Sequence, residues 1–257
     1  MRGDEYQQMC VCAMLIKKLK AMEAQCLIKG DAGIVVIPSA AQFSMNVGYN
    51  LGETTQRLAD SIFTAVRDYD YGIQLASYHI SGDFVPHVRS MQTGFQDNSI
   101  AADFGVAYNV IREPQPIDTT TLNYNWQVFE TCAFSLYSGP TSRVDVVAAE
   151  KSVEDILRFL KKRGVISAEA EISDGEAVIE LNENELVKVL THEAGFLHKL
   201  VKPGDTVEEG QVLAEIIDPY EAEKLEELKA PCKGIVFFSR VAEVIAQNEI
   251  IFSIKAE

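Results

Sequence analysis

Histidine and cysteine, two side chains that often bind metals, are sparse in this sequence of 257 residues. The histidines and cysteines are His79, His87, His192 and His198, and Cys10, Cys12, Cys26, Cys132 and Cys232. The two closest cysteines are two positions apart on a predicted helix and point to different sides. An odd number of scattered cysteines predicts a reduced, cytoplasmic protein without a cysteine metal cluster.

The start of the chain combines an arginine and a glutamate where a helix is expected. Arg2 and Glu5 are three positions apart, within reach of an ion pair. A Gly-Asp-Glu turn ahead of a helix usually follows a strand in α/β proteins and often holds a ligand. The two residues therefore form either a ligand-binding loop or a solvated N-terminus.

The overall charge excludes several classes of partner. The formal net charge is −15, from 38 acidic and 23 basic residues. Such an excess of negative charge repels phosphate backbones and anionic lipid surfaces, so we expect neither nucleic acid nor a membrane as partner. The sequence also has no apolar stretch of about 20 residues and no signal peptide.

Hydrophobic periodicity predicts alternating helices and strands in the first part of the chain. The predicted helices are Glu5 to Ala24, Thr54 to Arg67, residues 98–110 and a helix that Ser152 caps. The predicted buried strands are GIVVIPS, YGIQLAS and FETCAFSLYSG. Strands that alternate with helices predict an α/β domain with a sheet covered on both faces.

From about residue 165 the pattern changes to short strands separated by glycine and proline turns. This rhythm predicts a small β-barrel or sandwich. The predicted domains are residues 1–145, a connecting helix and linker over 146–184, and an all-β domain over 185–257.

Two sets of motifs carry a resemblance to known proteins. KPGDTVEEGQVLAEI followed by APCKGIV is similar to the biotinyl/lipoyl-type barrel. GDEYQQM, FSMNVGY and QLASYHISGDFVPHVR resemble the metal-binding and substrate-binding stretches of the succinylglutamate desuccinylase/aspartoacylase family. The resemblance covers nearly the whole chain and implies a zinc-carboxypeptidase-like mixed sheet with helices on both faces, followed by the small barrel.

The resemblance implies zinc-dependent hydrolysis of amide bonds. In this family a His-x-x-Glu pair and a later histidine hold the metal, which polarises the amide carbonyl and activates water. A glutamate relays the proton to the leaving amine, and an arginine holds the substrate carboxylate.

At most of these positions, this chain has a residue that cannot perform the role of the corresponding family residue. The first zinc-binding histidine falls on Arg2, which stays protonated and cannot ligate zinc. Glu5, the second ligand, is retained, whereas the third ligand position is Ala76. The catalytic glutamate falls on Tyr137. Asn46 is retained, but the substrate-binding arginine that follows it in the family is Val47. We therefore expect neither a catalytic residue nor a zinc cofactor.

Other residues offer few ways to rebuild a site. His79 lies three residues beyond Ala76 and could turn toward Glu5, but two ligands are fewer than catalytic zinc needs. His87 belongs to a stretch that the family keeps without using it for zinc, and His192 and His198 are expected on the surface or packed on strands. Tyr137, with an ordinary pKa near 10, is a poor general base and is expected to fill the emptied cleft.

The resemblance has two consequences for the N-terminus. We hypothesise that the Arg2 guanidinium occupies the zinc position and neutralises Glu5, which gives a metal-free site for a carboxylate or phosphate. In the family, strands of the sheet precede this stretch. Either the natural chain begins upstream of Met1, or a partner or another segment covers the open edge.

The favoured hypothesis is a catalytically inactive member of the family, a pseudoenzyme that binds or regulates. Its expected partners are a small carboxylate ligand, an active paralogue and further copies of itself. The alternative is a zinc-dependent deacylase that removes an acyl group from a small N-acylated amino acid or amine. A further alternative is a biotinyl- or lipoyl-type carrier, for which Lys224 and Lys229 are the nearest lysines.

Overall fold

The chain folds into two units whose segments alternate along the sequence. The computed structural model describes residues 5–38, 52–78 and 80–257, except for the side chains of residues 52–56, 58 and 59. The first unit contains the described residues up to Ser77, Pro86–Ser138 and Ser142–Leu181. The second unit contains Tyr78–Val85, Gly139–Thr141 and Asn182–Glu257.

The first unit is a mixed α/β structure. Its helices are α1 (Tyr6–Ala24), α2 (Gly52–Val66), α3 (Leu122–Val128) and α4 (Val146–Lys162), with 3-10 helices at Asn98–Phe104 and Pro116–Thr120. Strands are numbered along the whole chain, and those of this unit are β1 (Tyr71–Ala76), β3 (His87–Met91), β4 (Tyr108–Arg112), β5 (Cys132–Tyr137) and β6 (Ile179–Asn182).

These five strands form one sheet in the order β1-β5-β3-β4-β6. β1 is parallel to β5, and β3 is parallel to β4, whereas β3 and β5 are antiparallel. The mixed sheet that the resemblance implied is therefore confirmed.

Both faces of the sheet are covered by helices. Phe134 and Leu136 of β5 point to one face and join a core with Val11 and Leu15 of α1 and with Phe159 of α4. On the opposite face, Ala133 packs with Trp126 of α3 and Val66 of α2. This separation follows from the alternation of side chains along β5. Because the apolar residues of α1 recur at three- and four-residue spacing, one side of that helix is buried.

Three local predictions are corrected by the structure. No strand forms over residues 32–37, where Ile34 and Val36 pack on the core and Val35 and Ile37 are exposed. The predicted helix over residues 98–110 is a 3-10 helix followed by β4. Ser152 lies inside α4, where its hydroxyl donates to the Ala148 carbonyl at 2.9 Å.

The helix α4 begins earlier than predicted because another residue caps it. The Asp145 side chain accepts a hydrogen bond from the Ala148 backbone at 3.0 Å, which satisfies one of the open N–H groups of the first turn. Lys161 and Lys162 lie in the last turn, where positive charge suits the helix dipole.

A buried ion pair anchors α4 to the loops beside it. Arg158 donates to the Asp155 carboxylate at 2.8 Å, and the two side chains are 5% and 2% exposed. The same guanidinium donates to the Phe104 carbonyl and to the Ser173 carbonyl and hydroxyl. Burial raises the pKa of Asp155 to about 6, although Arg158 opposes this shift.

The second unit consists of antiparallel strands. They are β2 (Gly82–Phe84), β7 (Leu186–Leu190), β8 (Gly195–Lys199), β9 (Thr206–Val207), β10 (Val212–Ile217), β11 (Lys224–Lys229), β12 (Gly234–Arg240), β13 (Val244–Ile245) and β14 (Ile250–Ala256). One sheet has the order β11-β10-β8-β13 and the other β2-β12-β14-β7, with β9 paired to β12. Leu213, Ile216, Val236, Ile251 and Ile254 are fully buried in its core.

The all-β character predicted for the C-terminal part is present, together with a strand from earlier in the chain. β2 pairs with β12, with Phe84 opposite Phe238. The strand pairings do not test whether the two sheets close into a barrel, which stays a prediction. No helix in the described part of the chain has the length and apolarity to cross a membrane.

Candidate functional site

A polar cavity of about 190 Å³ lies in the first unit, against the sheet face that also carries α3. Strands β1, β3, β4 and β5 contribute to its walls, and Glu5, just ahead of α1, contributes a carboxylate. Ala76 and Tyr137, two of the positions identified from the sequence, also line this cavity.

The strand register explains why these two positions meet. In the parallel pair of β1 and β5, Ala76 is directly opposite Tyr137. Both residues end their strands, and the carboxyl ends of parallel strands lie at the same edge of a sheet. The two positions that the sequence analysis assigned to the third zinc ligand and to the catalytic glutamate are therefore neighbours.

Glu5 is held close to the same edge. Its side chain is buried, and its Oε1 accepts a hydrogen bond of 2.7 Å from the Ser77 hydroxyl. In the next turn, Gln8 Nε2 donates to the Ala76 carbonyl at 2.7 Å. The start of α1 is thus fastened to the end of β1.

Gln7 fastens α1 to the segment that follows β5. Its Nε2 donates to the Ser138 and Asp145 carbonyls at 3.2 and 3.0 Å, and its Oε1 accepts from the Asp145 backbone at 2.8 Å. The sequence analysis missed Gln7 and Gln8. The signal available in the sequence was the pair of adjacent glutamines beside the Gly-Asp-Glu turn. Glutamine amides that become buried need hydrogen-bond partners, so the pair could have indicated contacts with neighbouring segments.

Tyr137 lines the cavity and contacts two residues of β3, of which Arg89 also lines the cavity. Its ring stacks on the buried imidazole of His87, with ring centres 4.6 Å apart and planes at 10°. Arg89 Nη1 donates to the Tyr137 hydroxyl at 3.2 Å, and the guanidinium carbon lies 5.0 Å from the ring centre. Tyr137 is therefore fixed by stacking, by a hydrogen bond and by a cation–π contact.

A second arginine lines the cavity from β4. Arg112 Nη2 donates to the Asp118 carboxylate at 2.8 Å, and the same carboxylate oxygen accepts from the Gln115 backbone at 2.7 Å. Asp118 is almost fully buried. Sequence reasoning missed this pair because the helix predicted over residues 98–110 left Arg112 in a loop.

The amide of Asn123 completes this side of the cavity. Its Oδ1 accepts from Gln127 Nε2 at 2.9 Å, which fixes the orientation of the amide. Its Nδ2 donates to the Ser135 hydroxyl at 3.4 Å, and both residues line the cavity. The wall formed by β3, β4 and α3 is therefore rich in hydrogen-bond donors.

The other predicted positions fall into two groups. Arg2, Asn46, Val47 and His79 fall outside the described residues. The remaining two histidines belong to the second unit, with side chains 80% and 58% exposed. His192 Nδ1 lies 2.8 Å from Glu226, and His198 Nδ1 lies 3.5 Å from Glu215.

The described residues that line the cavity do not provide a ligand set for a zinc ion. Of the described ligand positions, Glu5 offers a carboxylate and Ala76 offers no donor atom. Within residues 5–38, 52–78 and 80–257, no three His, Cys, Asp or Glu side chains lie close enough together to hold a metal. Catalytic zinc takes three protein ligands, so the described part of the cavity falls short.

For two of the five cysteines, thiolate chemistry is unfavourable at neutral pH. Burial raises the pKa of Cys12 and of Cys132 to about 11. Since the thiolate is the nucleophile and the metal ligand, burial disfavours both roles for these two residues.

Comparison with solved structures identifies the fold. The chain matches the ectoine utilization protein EutE (DoeB) of Ruegeria pomeroyi with a TM-score of 0.79 and 15% identity, over 100% of this chain and 83% of that one. It matches a succinylglutamate desuccinylase of Silicibacter sp. TM1040 with a TM-score of 0.78 and 16% identity, over 98% and 82%. For the succinylglutamate desuccinylase/aspartoacylase of Rhodobacter sphaeroides the TM-score is 0.73 and the identity 17%, also over 98% and 82%.

The chain thus has the fold seen in the succinylglutamate desuccinylases and aspartoacylases, as the sequence motifs implied. No protein-family model and no curated protein matches the sequence. Since the identities are low, the comparisons establish the fold, and the function has to be argued from the cavity.

Proposed function

We propose that this chain is a member of the succinylglutamate desuccinylase/aspartoacylase family that no longer hydrolyses amides and instead binds a small ligand. The fold and the cavity at the carboxyl ends of β1 and β5 support the relationship. A binding or regulatory role, alone or with an active paralogue, follows if the chemistry is lost while the cavity remains.

The observation that carries the proposal is the pairing of Ala76 with Tyr137 beside Glu5. The family resemblance assigns Ala76, which offers only a methyl group, to the position of a zinc-binding imidazole. It assigns Tyr137, whose phenol is hydrogen-bonded to Arg89, to the position of the carboxylate that relays a proton. Glu5, the one ligand that is kept, bonds to Ser77.

The second candidate, a working zinc deacylase, rests on the fold and on Glu5. It would need donors that the described residues of the cavity do not supply. The ectoine utilization protein, a member of this fold group, is known in a product-bound structure, which agrees with a ligand site in this architecture.

The carrier alternative is disfavoured by the position of the lysines. Lys224 and Lys229 lie in β11 and pair with Glu227, and Lys224 also pairs with Glu215. The turn between β10 and β11, residues 218–223, contains no lysine. A carrier presents its lysine on such a hairpin turn.

The proposal has four further parts: a closed barrel, a homo-oligomer, a cytoplasmic location and the placement of Arg2 against Glu5.

Zinc content tests the proposal. The protein is purified without a histidine tag, supplied with zinc, freed of excess metal and analysed by elemental mass spectrometry. We expect close to zero zinc per chain, and no hydrolysis of a panel of N-acyl amino acids. About one zinc per chain would contradict the loss of the metal site, and hydrolysis would show that the chain is an active deacylase.

A gain-of-ligand variant is the matched control. Arg2→His with Ala76→His supplies two imidazoles to stand beside Glu5 and completes the three-ligand set of the family. This variant should bind about one zinc per chain, whereas either single substitution should bind much less. Failure of the double variant to take up zinc would show that the family positions have been assigned incorrectly.

A further inference from the structure

We infer that the cavity holds a small monocarboxylate against Arg89 and Arg112, two residues other than the family's substrate arginine, which the resemblance assigns to the position of Val47. The inference rests on the proposed function because it assigns the ligand of the same cavity. It identifies which residues of this chain recognise the ligand and which chemical group they recognise.

The two arginines belong to adjacent parallel strands. Arg89 of β3 is opposite Val110 of β4, and Met91 is opposite Arg112. Arg89 and Arg112 are therefore two steps apart along the paired strands, and both line the cavity. Side chains in this diagonal relation lie on one face of the sheet and converge on the same space.

Both guanidiniums are held in place by other residues. Asp118, itself fixed by the Gln115 backbone, orients Arg112. The Tyr137 hydroxyl and ring orient Arg89. A guanidinium presents five N–H donors in a rigid planar fork, and a fork held in advance loses little freedom when it binds a carboxylate.

Neighbouring donors favour the same ligand group. The Asn123 oxygen is engaged by Gln127, so the amide nitrogen is the end turned toward Ser135 at the cavity wall. Asn123 is 5% exposed, and these two hydrogen bonds fix its amide. An amide N–H beside two guanidiniums suits a carboxylate, which accepts hydrogen bonds and donates none.

The charge and size of the cavity restrict the ligand. Glu5 and Asp118 also line it, and their carboxylates disfavour a doubly charged phosphate or dicarboxylate relative to a singly charged group. The cavity volume of about 190 Å³ is smaller than the roughly 300–1,000 Å³ of pockets that hold drug-sized ligands. A small organic acid with an uncharged polar remainder fits both limits.

Calorimetric titration with a matched pair of probes tests the inference. N-acetylglycine carries one carboxylate, and N-acetylglycinamide is its neutral counterpart of nearly equal size. We expect saturable binding of N-acetylglycine and none of the amide. Arg89→Gln should weaken binding at least about tenfold, because hydrogen bonds to charged groups contribute about 1.5–3 kcal/mol. Arg67→Gln, which removes an exposed arginine outside the cavity, should leave affinity unchanged.

Other outcomes are decisive as well. No binding of N-acetylglycine, or equal binding by the Arg89→Gln variant, would overturn the inference. Inorganic phosphate binding more tightly than N-acetylglycine would overturn the assignment of a carboxylate. If Arg89→Gln lowers the melting temperature, Arg89→Lys replaces it, since lysine keeps the charge and loses the fork. Zinc content is measured on the same preparation. If the protein contains no zinc and does not bind N-acetylglycine, only this inference is refuted. If the protein contains bound zinc, the proposed function is refuted.

Discussion

Replacing Asp118 should weaken the first unit by an amount that the structure allows us to work out. Its carboxylate is 6% exposed and pairs with Arg112, whose side chain is 24% exposed. It also accepts the backbone N–H of Gln115 at the start of the 3-10 helix Pro116–Thr120. Asp118→Ala removes both interactions.

Removing one partner of a fully buried ion pair costs about 3–5 kcal/mol. Water can still reach part of Arg112, so we expect about 2–3 kcal/mol for this pair. The lost bond to Gln115 adds about 1 kcal/mol, giving roughly 3–4 kcal/mol for Asp118→Ala. Asp118→Asn loses the negative charge but keeps an oxygen that can accept from both Gln115 and Arg112, so it should cost only about 1–2 kcal/mol.

Chemical denaturation followed by tryptophan fluorescence measures these losses. Trp126 is the single tryptophan of the chain and lies in α3, directly after the 3-10 helix, so it reports on the unit that contains Asp118. Asp174→Ala, at an exposed site of the same unit, is the control and should change stability by less than about 0.5 kcal/mol. A loss for Asp118→Ala no larger than that of the control would refute the reasoning.

Two further predictions concern the packing of the first unit. Gly72→Ala should lower the unfolding free energy by about 1–3 kcal/mol, because the new Cβ would lie 2.5 Å from the Trp126 ring. An unchanged denaturation midpoint would contradict this close contact between Gly72 and Trp126. Asp155 holds its proton more tightly when folded, so its contribution to stability is greatest below about pH 4 and is lost as the pH rises to about 6. Asp155→Asn, measured by denaturation from pH 4 to 7, should remove this decline, and an identical pH profile for both proteins would exclude it.

Much of the fold was predictable because periodicity reflects burial. The apolar spacing of α1 and the apolar runs of β1 and β5 each predicted the correct element. The same rule failed at GIVVIPS, where Ile34 and Val36 bury one side without pairing to a neighbouring strand. An apolar run indicates contact with the core, but hydrogen bonding to another strand is set by the tertiary structure.

The site was predictable only where motifs marked it. Glu5, Ala76 and Tyr137 were located by resemblance, and the structure brings all three to one cavity. Arg112 and Asn123 follow no motif, and their place depends on which face of β4 and α3 meets the sheet. Local sequence does not encode such long-range contacts.

The most direct test of the central claim is the zinc content of the wild-type protein beside that of the Arg2→His, Ala76→His variant. If the family site has lost its ligands, the wild-type protein contains almost no zinc and the variant contains about one ion per chain. One zinc per chain in the wild-type protein would contradict the account.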